Sequence, residues 1–454
     1  MKKKVISMLL ATVMVVGLVA GCGQKKEEVK ATGSASNDGK VLNIYGWNEE
    51  FKSRFEDYYE KAGKVPDGVK VNFVITPSEN NAYQKALDEA LLNQDSAKAD
   101  DKVDMFLVEA DYILKYVDSD YSADIKKDIG VTDEDMADQY QYTKDIATDK
   151  KGIQKAISWQ ACGGVYIYRR SIAKAVLGTD DPAKVQEAVA DWDKFDALAT
   201  KMQESGYAMV SGFDDTYRTF SNNVSAPWVD GTKIVVDDKI TQWIDQTKQY
   251  TDNSYNQKTI LWDDAWAAGQ GPKGNVFGYF MPAWGVDFVM APNSLATAEA
   301  DGGKQAVGNG IYGDWAACTG PESYNWGGTW ICAATGTDNA DLIQDIMKTI
   351  CCDADTMKQI VQNDNDSVNN KKVMEGLAAS DYTSAFLGGQ NPYGLYSASA
   401  EKIDMSNISP YDQGLNESFQ TAFHDYFNGT VDKDTAMKNF ITAAKEKYPE
   451  LTAE

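Results

Sequence analysis

VLNIY at 41–45, VKVNFVI at 69–75 and VDMFLV at 103–108 are the three runs on which the reading of the fold turns. Each is short, rich in aliphatic and β-branched residues and bounded by polar or turn-forming residues, the pattern of a strand. Residues 49–62 are helix-compatible, and Tyr83, Ala86, Leu87, Ala90 and Leu91 recur at i, i+3, i+4, i+7 and i+8, one face of a second helix. Strand, helix, strand, helix, strand with short connections implies parallel neighbours joined by right-handed crossovers, hence an α/β lobe. Open parallel sheets take ligands beyond the carboxyl ends of their strands. Here those ends carry Trp47, Asn48 and Glu49, then Thr76 and Ser78, then Glu109 and Asp111.

The pattern continues down the chain. A strand is expected at 164–168, then a helix at 191–205 with an Asp191 cap, buried Trp192, Phe195, Ala199 and Met202, and a stop at Gly206. Further strands are expected at 276–281, ending in Pro282-Ala283-Trp284, and at 315–318, with C-terminal helices at 417–428 and 434–447. A length of 454 residues accommodates two large lobes of this kind.

Composition narrows the function. Hydrophobic residues at 43% and charged residues at 25% are ordinary globular usage, which argues against a disordered chain or a multi-span membrane protein. The net charge of −24 repels phosphate backbones and anionic lipid headgroups, so nucleic-acid binding is not expected. His424 is the single histidine, which lowers the expectation of acid–base catalysis and of zinc or haem ligation. Lys2, Lys3 and Lys4 precede an apolar stretch at 5–20, too short to span a bilayer as a helix and suited to a signal peptide. It ends in Val19-Ala20-Gly21-Cys22, which resembles the lipobox of bacterial lipoproteins, with Cys22 as the lipidated residue. Residues 23–39 have the polar, Gly/Ser/Lys/Glu-rich composition of a tether. Cys162, Cys318, Cys332, Cys351 and Cys352 show no metal-ligand spacing and read as small buried apolar residues.

Two motif matches lack their context. Gly308-Asn309-Gly310-Ile311-Tyr312-Gly313 precedes a strand where a dinucleotide fingerprint must follow one. Asp364-Asn365-Asp366 starts like a calcium loop without the glycine and glutamate that complete it, and reads as a solvated helix-end loop. Glu109, Asp111, Asp214, Asp215 and Asp314 are available as a glycosidase pair, but no spacing selects two of them. Aromatic residues make up 11% of the chain, including 11 Trp. Trp192, Trp243 and Trp330 lie on helical or strand periodicity and suit a core. Trp47, Trp284 and Trp326 lie at strand ends or in glycine-flanked loops and suit a platform for a sugar ring.

LNIYGWNEEF at 42–51, VDMFLVEADYILKY at 103–116, SWQACGGVYIYRR at 158–170, DWDKF at 191–195, residues 275–284 and residues 310–335 with their WGGTW resemble the extracellular solute-binding proteins of sugar ABC importers. The resemblance is strongest to the maltose-binding-like lipoproteins of Gram-positive, clostridial type. It implies an α/β chain in a two-lobed periplasmic-binding-protein-like fold with a ligand cleft between the lobes. The implied organisation is a lipoprotein signal at 1–21, a tether at 22–39, an N-terminal lobe at 40–158 plus 321–365, and a C-terminal lobe at 159–320 plus 366–454. The chain would cross between lobes near 159–162, 314–321 and 361–370. Carried over position by position, the implied ligand-binding residues are Trp47, Asn48, Glu49, Glu109, Asp111, Trp159, Gln160, Asp215, Tyr217, Trp284, Asp314 and Trp326. The resemblance implies no cofactor and no catalysis. It implies a carbohydrate ligand, an ABC permease as partner, a monomer, and anchoring to the outer face of the cell membrane through Cys22. Cys162-Gly163-Gly164 departs from the family pattern, which has proline after the cysteine. A secreted glycoside-active enzyme, or a polyamine or peptide receptor of the same fold, is the alternative.

Overall fold

Leu42 and Ile44 are fully buried on β1 (Val41–Gly46), an interior strand of its sheet because neighbours pair with it on both edges. In the computed structural model, which describes residues 31 and 33–453, nine further strands follow. They are β2 (Lys70–Ile75), β3 (Met105–Glu109), β4 (Ala156–Ser158), β5 (Val165–Arg169), β6 (Val229–Asp230), β7 (Lys233–Ile234), β8 (Gly278–Met281), β9 (Trp315–Cys318) and β10 (Thr329–Ala333).

The first sheet has the order β2-β1-β3-β10-β4. β1 pairs in parallel with β2 and β3, as the three opening runs imply, whereas β10 arrives from far along the chain and pairs antiparallel with β3 and β4. The helix Ala340–Cys351 covers this sheet with Ile343, Ile346, Met347 and Ile350, a stripe at i, i+3, i+4 and i+7. The second sheet, β8-β5-β9, is antiparallel throughout. The helix Trp192–Glu204 starts at Asp191, whose carboxylate accepts from the Lys194 amide. It buries Phe195, Leu198, Ala199 and Met202, while Trp192, expected in the core, is half-buried at the first turn with its ring stacked on Phe220 at 4.6 Å. The helices Asp412–Phe427 and Lys433–Lys447 enclose a separate aromatic core of Phe419, Phe423, Phe427 and Phe440 with Trp228 and Trp243.

Several boundaries differ from those expected. The helix expected at 49–62 is α-helical at Glu50–Phe55, then widens to a π-turn at Glu56–Glu60, where the Lys61 amide reaches back five residues to Glu56. The C-terminal helix expected from 417 begins at Asp412, and the strand expected from 276 begins at Gly278.

Three segments pass between the sheets: 159–164, 319–328 and 365–370. They lie side by side with the first in the middle, Gln160 bridging to Val368 and Gly163 to Asn325. Four backbone bonds tie them together: Ala161 to Ser367, Asn369 to Trp159, Trp326 to Cys162 and Gly164 to Tyr324. The second crossing was expected at 314–321, but residues 315–318 are β9 and still belong to the second sheet. Sequence hydrophobicity does not separate a sheet strand from a crossing strand. Gly163 and Gly164 have a packing reason: a Cβ on Gly163 would meet the Ala400 backbone at 2.8 Å, and one on Gly164 would enter the Tyr324 ring.

Candidate functional site

β1 delivers its carboxyl end into a turn, and the helix Glu50–Phe55 starts immediately after it, so Glu50, Ser53 and Arg54 share one face near Trp47, Asn48 and Glu49. β3 ends at Glu109, directly opposite Thr329 on β10. From the other lobe, β8 stops at Pro282, and the turn beyond it presents Trp284, Asp287 and Phe288. These groups enclose a cavity of about 460 Å³, floored by Gln160 of the first crossing, Gly327 and Gly328 of the second and Thr329 at the start of β10, with Asp364 and Asp366 at the third crossing. The carboxyl ends of β1 and β3 thus open into the cavity, where an open parallel sheet takes its ligand.

Gln160 organises the floor. Its Nε2 donates to Glu50 at 2.8 Å and to Asp366 at 3.1 Å, and its Oε1 accepts from the Thr329 amide at 3.0 Å. Arg54 pairs with Asp364 at 3.0 Å and Asp366 at 3.7 Å, so its charge is spent on the cavity wall. Trp284 is held by its Nε1, which donates to the Trp326 carbonyl at 2.9 Å. The Trp326 ring stands edge-on to it at 5.5 Å and Trp262 lies nearly parallel to it at 6.4 Å. Gly327 adopts φ 73°, and a Cβ there would press on the Trp284 indole at 3.2 Å, so the glycine allows both the turn and the ring.

Of the residues named from sequence, Trp47, Asn48, Glu49, Glu109, Gln160 and Trp284 line the cavity together. Six do not. Trp159 is fully buried and packs on Phe51, because the first crossing is a two-sided core strand at that point. Asp111 is turned to Arg218, which donates to both of its carboxylate oxygens. Asp215 accepts from the Gly212 amide at 2.6 Å and from Trp266 Nε1 at 2.8 Å, knitting its own loop. Tyr217 is buried with its hydroxyl on Asn416. Asp314 accepts from Arg169 Nε at 2.9 Å and from the Ser171 amide at 2.9 Å at the far end of β5. Trp326 is buried and supports Trp284 from behind. Glu50, Arg54, Asp287 and Phe288 have no spacing signal in the sequence, because acids, an arginine and a lone aromatic on a short helix or turn carry none, and Asp364, expected in a solvated helix-end loop, instead lines the cavity and pairs with Arg54. Asp366, expected in a solvated loop, is 3% exposed and bonded to Gln160.

The family model of the bacterial extracellular solute-binding proteins matches residues 54–384. The chain belongs to the bacterial extracellular solute-binding proteins. No curated protein matches it in sequence. Among solved structures, an extracellular solute-binding protein of family 1 superposes with a TM-score of 0.73 at 17% identity, over 89% of this chain and 99% of its own. The galacto-N-biose-/lacto-N-biose I-binding protein of a Bifidobacterium longum ABC transporter, in complex with lacto-N-biose, gives 0.66 at 13% identity, over 92% and 100%. An ABC substrate-binding protein from Listeria monocytogenes, in complex with cycloalternan, gives 0.62 at 13% identity, over 91% and 100%. The fold is therefore the two-lobed α/β solute-binding fold of maltose-binding type.

The cleft of this solute-binding protein is acidic and poorly neutralised. Burial raises the Glu50 carboxyl to about 7, with Asp366 adding to the shift and Arg54 and Gln160 opposing it. Burial raises Glu109 to about 8, with Asp111 adding and Arg218 opposing. Burial also raises Asp287, against the donation it receives from Asn365. These groups offer hydrogen-bond acceptors beside an aromatic face, the set that holds a polyhydroxylated ring by its hydroxyls and its apolar face. Among the described residues, no group of three or more His, Cys, Asp or Glu side chains is arranged to hold a metal ion, and no helix is long and apolar enough to cross a membrane.

Proposed function

We propose that this chain is a lipid-anchored extracytoplasmic receptor that captures a carbohydrate, an oligosaccharide by the size of its cleft, and delivers it to an ABC permease. The observation that carries the reading is the cavity itself: Trp284 lines it from one lobe and Glu50 and Glu109 from the other, with Gln160 at the floor, so a sugar stacked on the indole can donate hydroxyls to acids of the opposite lobe. Such a ligand stabilises the closed form by contacts that the open form lacks. The proposed lobes are 40–158 with 321–365 and 159–320 with 366–454, the first containing the whole five-stranded sheet and the second the three-stranded sheet. Anchoring rests on Cys22, which lies outside the described residues, and the receptor acts as a monomer on the outer face of the membrane without a cofactor.

The family consists of binding proteins, which weighs against glycoside cleavage. A second reading, a polyamine or basic-peptide receptor, has one specific support: Glu50, Glu109 and Asp287 make no ion pair among the described residues. A thermal-shift screen against neutral oligosaccharides, polyamines and basic peptides separates the two, since a ligand that binds only the folded state raises stability by RT ln(1 + [L]/Kd). Stabilisation by a neutral oligosaccharide is expected. Stabilisation by polyamines or basic peptides alone would replace the sugar reading by the second.

A further inference from the structure

A second cavity, of about 230 Å³, adjoins the cleft and shares Asp287 with it. The partition between the two is a line of hydrogen bonds. Asn365, placed between the cleft-lining acids Asp364 and Asp366, donates its Nδ2 to Asp287 at 2.9 Å and accepts from the Tyr382 hydroxyl at 3.1 Å. Asn365 is exposed, and Asp287 and Tyr382 are half-buried, so nothing in the core fixes this line shut.

The side chamber is built on a packed aromatic floor. Tyr393, Tyr396 and Phe386 are 1%, 2% and 4% exposed. Over them stand two half-buried rings, Tyr382 against Tyr393 at 4.7 Å and Tyr312 edge-on to Phe386 at 5.3 Å. Thr383 and Ser384 add hydroxyls to the same wall. At the junction Phe288 lines the cleft at 79% exposure, an apolar ring left uncovered beside Asp287. Held aromatic faces with hydroxyls at the rim repeat, on a smaller scale, the chemistry of the main cleft.

We propose that the binding site continues past Asp287 into this chamber and takes an oligosaccharide too long for the main cleft alone, with Tyr382 and Tyr312 receiving its terminal unit. The proposal rests on the carbohydrate reading and adds chain-length selection to it. The Asn365 line is then the point over which the ligand passes, its amide and the Asp287 carboxylate exchanging one another for sugar hydroxyls.

Calorimetry with the parent protein and maltose-, cellobiose-, xylobiose- and galactobiose-based series, each from the disaccharide to the hexasaccharide, tests this. In the series that binds, the longer members should bind about tenfold more tightly than the disaccharide, the factor that corresponds to a modest added contact. Tyr382→Ala should abolish that gain and leave disaccharide affinity unchanged. Thr383→Trp, at an exposed position of the chamber wall, should fill the space and abolish the gain without removing any packing. Equal affinity for short and long members, or a chain-length gain that survives Thr383→Trp, would overturn the chamber and leave carbohydrate binding standing. Absence of binding across all four series would overturn both.

Discussion

Arg218, on the helix Tyr217–Ser221 of the second lobe, donates both terminal nitrogens to the two carboxylate oxygens of Asp111, which follows β3 of the first lobe. A two-point bond between a guanidinium and a carboxylate fixes direction as well as distance. It therefore joins the lobes beside the cleft, together with the bond from Gln84 to Gln413 at 2.8 Å. Arg218→Gln should shift the unliganded protein towards an open form, seen as a larger radius of gyration in solution scattering. Saturating ligand should restore the smaller value, at a cost of about tenfold in affinity. A scattering curve that superimposes on that of the parent would show that the pair does not hold the lobes together.

Glu109 gives a pH dependence with a defined sign. Its folded carboxyl, raised to about 8 by burial and by Asp111, holds a proton over a range in which an unfolded glutamate has lost one. Folding then takes up a proton, and stability falls as pH rises from the ordinary glutamate range through about 8. Glu109→Gln removes this contribution. Its melting temperature should exceed that of the parent at pH 8 to 9, by stability on the order of 1–3 kcal/mol, and match it near pH 5. A difference independent of pH would contradict the assignment.

Trp284 is held by Trp326 and faces the cavity. Truncation to Ala should weaken ligand binding by on the order of 1–3 kcal/mol, the range for a buried aromatic anchor. Trp284→Phe, which keeps a ring but loses the bond to the Trp326 carbonyl, should fall between the two. Calorimetry on all three proteins makes the comparison, and unchanged affinity in Trp284→Ala would remove the platform from the account.

Cys22→Ser should abolish lipid attachment, read by metabolic labelling with a fatty acid. Label retained on the Cys22→Ser protein would sink the anchor.

The parts of this architecture that sequence displays are those governed by one-dimensional periodicity. The parallel β2-β1-β3 core follows from 41–45, 69–75 and 103–108, and the ends of those strands lead to Trp47, Glu109 and the cavity. What escapes is set by partners distant in the chain. Asp111, near a strand end, and Asp215, in a loop, look like Glu109 as acids available to a ligand, yet Arg218, more than a hundred residues beyond Asp111, claims the first, and Trp266 claims the second. Trp159 lies where the resemblance implied a ligand contact, but the crossing strand there is covered on both sides and Phe51 meets its ring. Conversely Glu50 and Asp366 become cleft groups only because Gln160 reaches both from a third segment.

The measurement closest to the central claim is calorimetric titration of the mature protein with the carbohydrate that most raises its melting temperature, followed by analysis of the recovered sugar. Saturable binding of one ligand per chain, strengthened by an intact Trp284, and a sugar recovered unaltered are expected. A shortened sugar in the recovered solution would make the protein an enzyme, and saturable binding confined to polyamines or basic peptides would contradict the carbohydrate receptor outright.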